Sequence, residues 1–163
     1  MQFTAEEYYW VSLERMQQAK KLYQNEASYA LAMYCAGLAV ESLLRAFRWT
    51  LDASFEGRHD LSELLRASRL LQVDEELMSR KGASAESIVW SGSVLKAAMN
   101  EVIILWHNNL RFASEDRLRT FLKKINRTRG VRGDPLKKNA LDLLNAAQRV
   151  INHGVALWTS KTR

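Results

Sequence analysis

Apolar residues recur at intervals of three and four along most of the chain, which is the spacing of amphipathic helices. The longest such stretch runs from Ser28 to about residue 53, and its apolar positions cover more than one side of the predicted helix. We therefore expect this helix to lie at the centre of the molecule. One acid, Glu41, lies in the middle of the apolar run, and a buried carboxylate needs an ion-pair or hydrogen-bond partner.

Further helices are predicted on both sides of this central one. The first runs from Ala5 to about Gln24 and begins at a capping box formed by Thr4 and Glu7. Another begins at Asp60 and ends near residue 72. The pattern then predicts a loop over residues 79–93, because small and polar residues dominate there. Its apolar triplet, residues 88–90, is expected to pack back on the bundle.

The second half of the sequence predicts three more helical segments. One spans about residues 93–108, a short one follows Ser114, and the last runs from Pro135 to about residue 158. Asp134 before Pro135 is a typical helix start, because an N-cap residue precedes a proline at the first helical position. The predicted fold class is all-α: one domain over residues 1–163, built as an antiparallel bundle of about five helices.

Composition limits the class of protein. A chain of 163 residues with 47% hydrophobic and 26% charged residues is typical of a globular domain with its own core. Its one cysteine excludes an internal disulfide, and its start lacks the basic and apolar regions of a signal peptide. No uninterrupted apolar run approaches the ~18 residues of a membrane span. We expect a cytoplasmic protein that is not bound to a membrane and has no cofactor or metal.

Positive charge is concentrated in the second half of the chain. The first 81 residues carry 10 Lys or Arg and 12 Asp or Glu, whereas the remaining residues carry 14 and 6. Much of the excess lies in the segment 123–138, which indicates contact with an anionic partner such as RNA. A solvated loop without a partner is the alternative. The cations predicted to bind are Lys123, Lys124, Arg127, Arg129 and Arg132.

Two segments of the chain form a further pattern: Ala36–Ala46, which contains Glu41, and His59-Asp60-Leu61 at the start of the next helix. This pattern resembles the HEPN family (higher eukaryotes and prokaryotes nucleotide-binding domains). It covers roughly residues 5–125, and the last helix fits the same bundle. The resemblance implies a homodimer. It also implies one of two activities: metal-independent cleavage of RNA, often in toxin or defence proteins, or non-catalytic partnership, sometimes with a nucleotidyltransferase.

The nuclease branch of that family carries Arg and His separated by four to six residues, and this chain does not show that motif. The nearest match is Arg149 and His153, which are separated by three residues. We therefore expect a non-catalytic domain that binds RNA, a nucleotide or a partner protein. One alternative is a metal-independent RNase, in which His153 moves a proton and Arg149 holds the phosphate. The other alternative is a purely structural interaction domain.

Three further candidates come from the remaining histidines and from the buried acid. His107 and Arg111 are four residues apart and either bind a ligand or satisfy the free backbone groups of a helix end. Arg111 is also the residue we expect to reach Glu41. His59 and Asp60 are expected to be structural, with Asp60 capping the helix that follows.

Overall fold

A computed structural model describes residues 3–53 and 59–161 of the chain. Within these residues the fold is all-α, as predicted, with seven α-helices, one 3₁₀ helix and no strand. The turn predicted at residues 54–57 lies outside the described residues. The helices are α1 (Ala5–Gln24), α2 (Tyr29–Trp49), α3 (Leu61–Ser68), α4 (Leu70–Arg80), α5 (Ala85–Leu105), the 3₁₀ helix (Asn108–Phe112), α6 (Glu115–Lys124) and α7 (Pro135–Lys161).

Helix α2 is the centre of the bundle, as its apolar pattern predicts. Fourteen of its 21 residues are buried, and it packs against α1, α3 and α7. Helix α1 begins with the predicted capping box, in which Thr4 accepts from the backbone N–H of Glu7. Helix α7 approaches α2 very closely at Gly154, where a Cβ atom would lie 2.4 Å from Cδ2 of Leu43. The absence of a side chain at Gly154 therefore permits this helix contact.

A second close contact ties the end of α5 to α2. The indole ring of Trp106 fills the place where a Cβ atom of Gly37 would lie, at 1.9–2.1 Å from that position. Its Nε1 donates a hydrogen bond to the backbone carbonyl of Tyr34 at 3.1 Å. The absence of a side chain at Gly37 therefore makes room for the Trp106 ring against helix α2.

Three local predictions are wrong. The apolar triplet at residues 88–90 does not pack back on the bundle, because Val89 and Trp90 are exposed on helix α5. The loop predicted over residues 79–93 is mostly helix, because α5 begins at Ala85 with Ser84 as its N-cap. The helix predicted from Asp60 to residue 72 is broken at Arg69, which has a φ of 54° and separates α3 from α4. Ser91, inside the supposed loop, donates a hydrogen bond to the buried Asp74 of α4 at 2.9 Å. Packing against α4 thus outweighs the weak local preference of residues 79–93 for a loop.

Helices α2 and α5 are both long and apolar enough to cross a membrane by length and composition alone. In α2, 67% of the apolar window is buried inside the bundle, whereas in α5 only 33% is buried. The apolarity of α2 is therefore explained by the core of the protein. The core does not explain the apolarity of α5 in the same way, because most of its apolar window is not buried.

Candidate nucleic-acid interface

Five cations lie in one stretch of the chain, which comprises the end of α6, the connection that follows it and the first turn of α7. All five side chains are exposed, and none forms an ion pair within the described part of the chain. We call this set the basic surface: Lys123, Lys124, Arg129, Arg132 and Lys137.

The connection that carries the basic surface is held at several points. Arg119 of α6 pairs with Asp134, with Nη2 and Oδ2 at 3.0 Å, and Arg127 pairs with Glu101 of α5. The buried amide of Asn139 donates to the backbone carbonyls of Arg127 at 2.9 Å and of Pro135 at 2.8 Å. The cations are thus presented by a fixed segment, so binding costs less conformational entropy than ordering a free loop.

Left-handed backbone shapes this connection. Asn126, Gly130 and Gly133 have φ values of 58°, 75° and 80°, which a glycine adopts without the steric penalty of a side chain. Two of the three sharp bends therefore use glycine. These bends allow the chain to reverse direction within the ten residues that separate α6 from α7.

The two acids nearest in sequence to the basic surface are both paired. The hydrogen bond from Arg119 holds the pKa of Asp134 below its usual range, and the backbone N–H of Leu136 donates to the same carboxylate at 2.9 Å. Asp134 is therefore ionised and caps the start of α7. Asp142 pairs with Lys138 one turn further along that helix. Because these pairs are neutral, the basic surface keeps its excess positive charge.

Arg127 differs from the other cations predicted to bind. Its guanidinium is half-buried and pairs with Glu101, so it ties the connection to α5. A phosphate contact through Arg127 stays a prediction. The sequence does not distinguish it from Arg129 and Arg132, because its acidic partner lies 26 residues away in the chain.

The second predicted site lies elsewhere on α7. Arg149 is exposed, and His153 is half-buried one turn later, with its Nδ1 at 3.1 Å from the backbone carbonyl of Arg149. Because a carbonyl oxygen can only accept, this contact needs a proton on Nδ1. The 12 residues between Lys137 and Arg149 correspond to about 18 Å of helix. The structure does not bring this pair together with the basic surface.

Glu41 is paired, as its position in an apolar run requires, but not with Arg111. One of its carboxylate oxygens accepts from Nε of Arg45 at 2.8 Å and lies 2.8 Å from Nδ1 of His59. Arg111 is exposed, with its guanidinium 4.5 Å from the centre of the Phe112 ring, so the predicted contact with Glu41 is wrong. Arg45 lies four residues after Glu41 on the same helix, and this spacing is a signal that was present in the sequence.

His59 and His107, predicted as separate candidates, line one groove of about 470 Å³ together with Asp60 and Asn108. Asp60 caps α3, accepting from the backbone N–H groups of residues 62 and 63 at 2.8 and 3.0 Å. Nδ1 of His107 accepts from the backbone N–H of Asn109 at 3.1 Å and so caps the 3₁₀ helix. Both ring contacts are structural, and both use Nδ1.

No cluster of three or more His, Cys, Asp or Glu side chains that could hold a metal ion occurs among residues 3–53 and 59–161. The residues that sequence reasoning missed are those that support the site. Glu101 and Asn139 hold the basic connection, and Arg45 holds the buried acid. Glu101 and Asn139 carry no sequence signal, because their partners are distant residues or backbone carbonyls.

Comparison with known families identifies the family and agrees with the all-α fold. The model of the HEPN domain matches residues 5–156, which is nearly the whole chain. Comparison with curated proteins gave no significant match, and comparison with solved structures gave none either. The match includes the buried helix with Glu41, the capped start of α3 and most of α7. This chain belongs to the HEPN domain family.

Proposed function

We propose that this HEPN domain binds RNA through the basic surface. The observation that carries the proposal is the set of five exposed cations that form no ion pair with the residues the structure describes. The connection that presents them is held at both ends. Lysine and arginine side chains bind phosphate groups, and the release of condensed counterions supplies much of the binding free energy.

The proposed contacts are with the RNA backbone and not with its bases. Residues 123–138 contain no aromatic side chain, so the basic surface offers no platform on which bases stack. Phosphate contacts position a nucleic acid without reading its sequence. We therefore expect similar affinities for single-stranded RNAs of different sequence at the same salt concentration.

Charge-matched variants test this proposal. One variant carries Arg129→Gln, Arg132→Gln and Lys137→Gln; the control variant carries Lys20→Gln and Lys21→Gln in α1 and Lys81→Gln after α4. All six side chains are exposed, and both variants lose the same net charge.

Fluorescence anisotropy with a labelled single-stranded RNA measures the affinity of each variant. We expect the first variant to bind roughly 10- to 100-fold more weakly than the unchanged protein at 0.1 M salt, because three phosphate contacts are lost. The control variant is expected to bind within about 3-fold of the unchanged protein. If both variants bound RNA equally weakly, only the net charge would matter for affinity. That result would contradict RNA binding at the basic surface.

A second candidate is metal-independent cleavage of RNA at Arg149 and His153. It is favoured by the arrangement of the pair: an exposed guanidinium lies one helical turn from an imidazole whose Nδ1 contacts the backbone carbonyl of Arg149. Incubation of the purified protein with RNA in EDTA measures this activity. Cleavage that is lost in both Arg149→Ala and His153→Ala supports it, and cleavage that survives either change contradicts it.

Membership of the HEPN family supports a proposal for the cellular setting of the domain. We place it in a toxin or defence system, or beside a partner protein such as a nucleotidyltransferase. A toxin that acts through RNA is expected to slow growth when it is overproduced, and the variant of the basic surface is expected to relieve that effect. Normal growth on overproduction of the unchanged protein would contradict a role as a toxin.

A further inference from the structure

An apolar hollow lies where α5 ends. It has a volume of about 440 Å³ and is formed by the last turn of α5, the 3₁₀ helix and α6. Among the residues that line it, Leu110 and Leu118 are buried, Ile103 and Phe121 are half-buried, and Ile104 is 48% exposed. A concave site of this size with mostly apolar walls is the kind of site that binds small molecules in other proteins.

The charge that lines the hollow is positive. Seven of its ten lining residues are apolar, and none of the ten is Asp or Glu. Arg117 lines it from α6, is exposed, and forms no ion pair with the residues that the structure describes. The residues at helical spacing from Arg117 are Ala113, Ser114, Thr120 and Phe121, so no acid one turn away neutralises its guanidinium.

His107 supplies a second hydrogen-bond donor to the hollow that it lines. Its Nδ1 accepts the backbone N–H of Asn109 at 3.1 Å, so Nδ1 carries no proton and the proton of the ring is on Nε2. Nε2–H is therefore the group that His107 can donate to a ligand. The contact that caps the 3₁₀ helix thus also fixes the tautomer of the ring.

The groove that contains His59 adjoins the hollow but differs from it in charge. Both cavities are lined by Ile103, Trp106 and His107, so they share one wall. The groove also carries the carboxylate of Asp60, whereas no carboxylate lines the hollow. An anionic group is therefore favoured in the hollow, where it meets a cation and no acid.

We propose that the hollow binds a small apolar carboxylate, whose apolar body lies against Leu118 and Phe121. Its carboxylate accepts hydrogen bonds from the guanidinium of Arg117 and from Nε2–H of His107. An apolar body fits these walls better than a nucleobase or a sugar does, because the walls offer few partners for the polar groups of either. This inference goes beyond RNA binding and does not depend on it, since Arg117 is not part of the basic surface.

Calorimetric titration with two probes of the same shape tests the charge of the ligand. 2-Naphthoate carries a carboxylate, and 2-naphthamide carries an uncharged carboxamide in its place. We expect 2-naphthoate to bind the unchanged protein roughly ten-fold more tightly, because charge-assisted hydrogen bonds are about twice as strong as neutral ones.

Three variants locate the contact. Arg117→Gln is expected to weaken binding of 2-naphthoate about ten-fold and to change binding of 2-naphthamide less than about two-fold. The control, Arg66→Gln, removes an exposed arginine of α3 that does not line the hollow, and is expected to bind both probes as the unchanged protein does. Ala113→Phe places a ring in the hollow and is expected to weaken binding of both probes at least about ten-fold. An unchanged circular dichroism spectrum shows that the variants keep the fold.

Three results of the titrations would overturn the proposal. They are equal affinities for the two probes, equal weakening by Arg117→Gln and Arg66→Gln, and no binding of 2-naphthoate at about 1 mM. Displacement of bound 2-naphthoate by a short single-stranded RNA would assign the hollow to nucleic acid and would overturn it as well. RNA binding that is lost with the basic surface while 2-naphthoate binding is kept would support two separate sites.

Discussion

Replacing Gly37 with alanine is expected to destabilise the bundle by about 2 kcal/mol, although alanine is the better helix former. The new Cβ atom would lie about 2 Å from three atoms of the Trp106 ring, so the ring must move by more than 1 Å. Overpacking of this kind costs typically 1–3 kcal/mol. The displaced ring also loses its hydrogen bond to the Tyr34 carbonyl, which contributes about 1 kcal/mol. The higher helix propensity of alanine offsets about 1 kcal/mol of this loss.

A matched control lies in α5. Apart from the adjacent residues and the nearby backbone of the same helix, no atom lies within 4 Å of the position that a Cβ atom of Gly92 would take. Gly92→Ala is therefore expected to stabilise the protein by about 0.5–1 kcal/mol. Urea denaturation followed by circular dichroism measures the free energy of unfolding of both variants. If Gly37→Ala stabilises the protein as Gly92→Ala does, the contact between Gly37 and Trp106 is not present in solution. The double variant Gly37→Ala with Trp106→Ala is expected to lose little more unfolding free energy than Trp106→Ala alone, because the ring that Cβ would strike is absent.

Three further predictions concern polar contacts, all measured by the same denaturation experiment. Glu41→Ala is expected to cost about 3 kcal/mol, because it leaves Arg45 largely buried without its carboxylate; a loss under 1 kcal/mol would contradict the pair. Asp60→Ala is expected to cost about 1 kcal/mol through loss of the N-cap of α3, and an unchanged stability would argue against that cap. The pKa of Asp134 is lowered in the folded state by Arg119, so its contribution is present at neutral pH. That contribution is lost as the pH falls from the unfolded pKa toward the lower folded one, and Asp134→Asn should weaken this acid dependence; an unchanged dependence would contradict it.

The helices of the core were predictable because their apolar spacing is regular and their caps are local. Three helix starts are marked by residues that lie close together in sequence: Thr4 with Glu7, Asp60 before α3, and Asp134 before Pro135. The start of α5 was not predictable in the same way. Small and polar residues dominate residues 79–93, and the contact that favours helix there joins Ser91 to the distant Asp74.

The break between α3 and α4 had no sequence signal either. Arg69 adopts a left-handed conformation that glycine or asparagine usually occupies, so the residue type does not mark the break. The candidate site likewise has one feature with a sequence signal and one that depends on a distant contact. The concentration of positive charge in residues 123–138 was apparent, whereas the separation of Arg127 from its neighbours depends on Glu101, which only the folded chain brings near.

The partner of Glu41 shows how a local signal can be overlooked in favour of a distant one. A basic residue four positions later on the same helix, Arg45, was the simpler candidate, and Arg111 was predicted instead. The second partner, His59, lies 18 residues away and is brought near by the return of the chain into α3. Sequence spacing supplies the first of these contacts, and the fold supplies the second.

The salt dependence of RNA affinity tests the central claim most directly. For single strands, the slope of log K against log salt concentration is about −0.7 for each phosphate contact. Removing three contacts with Arg129→Gln, Arg132→Gln and Lys137→Gln is therefore expected to make the slope less steep by about 2. The control variant at Lys20, Lys21 and Lys81 is expected to keep the slope of the unchanged protein. Equal slopes for all three proteins, or no salt dependence, would contradict RNA binding at the basic surface.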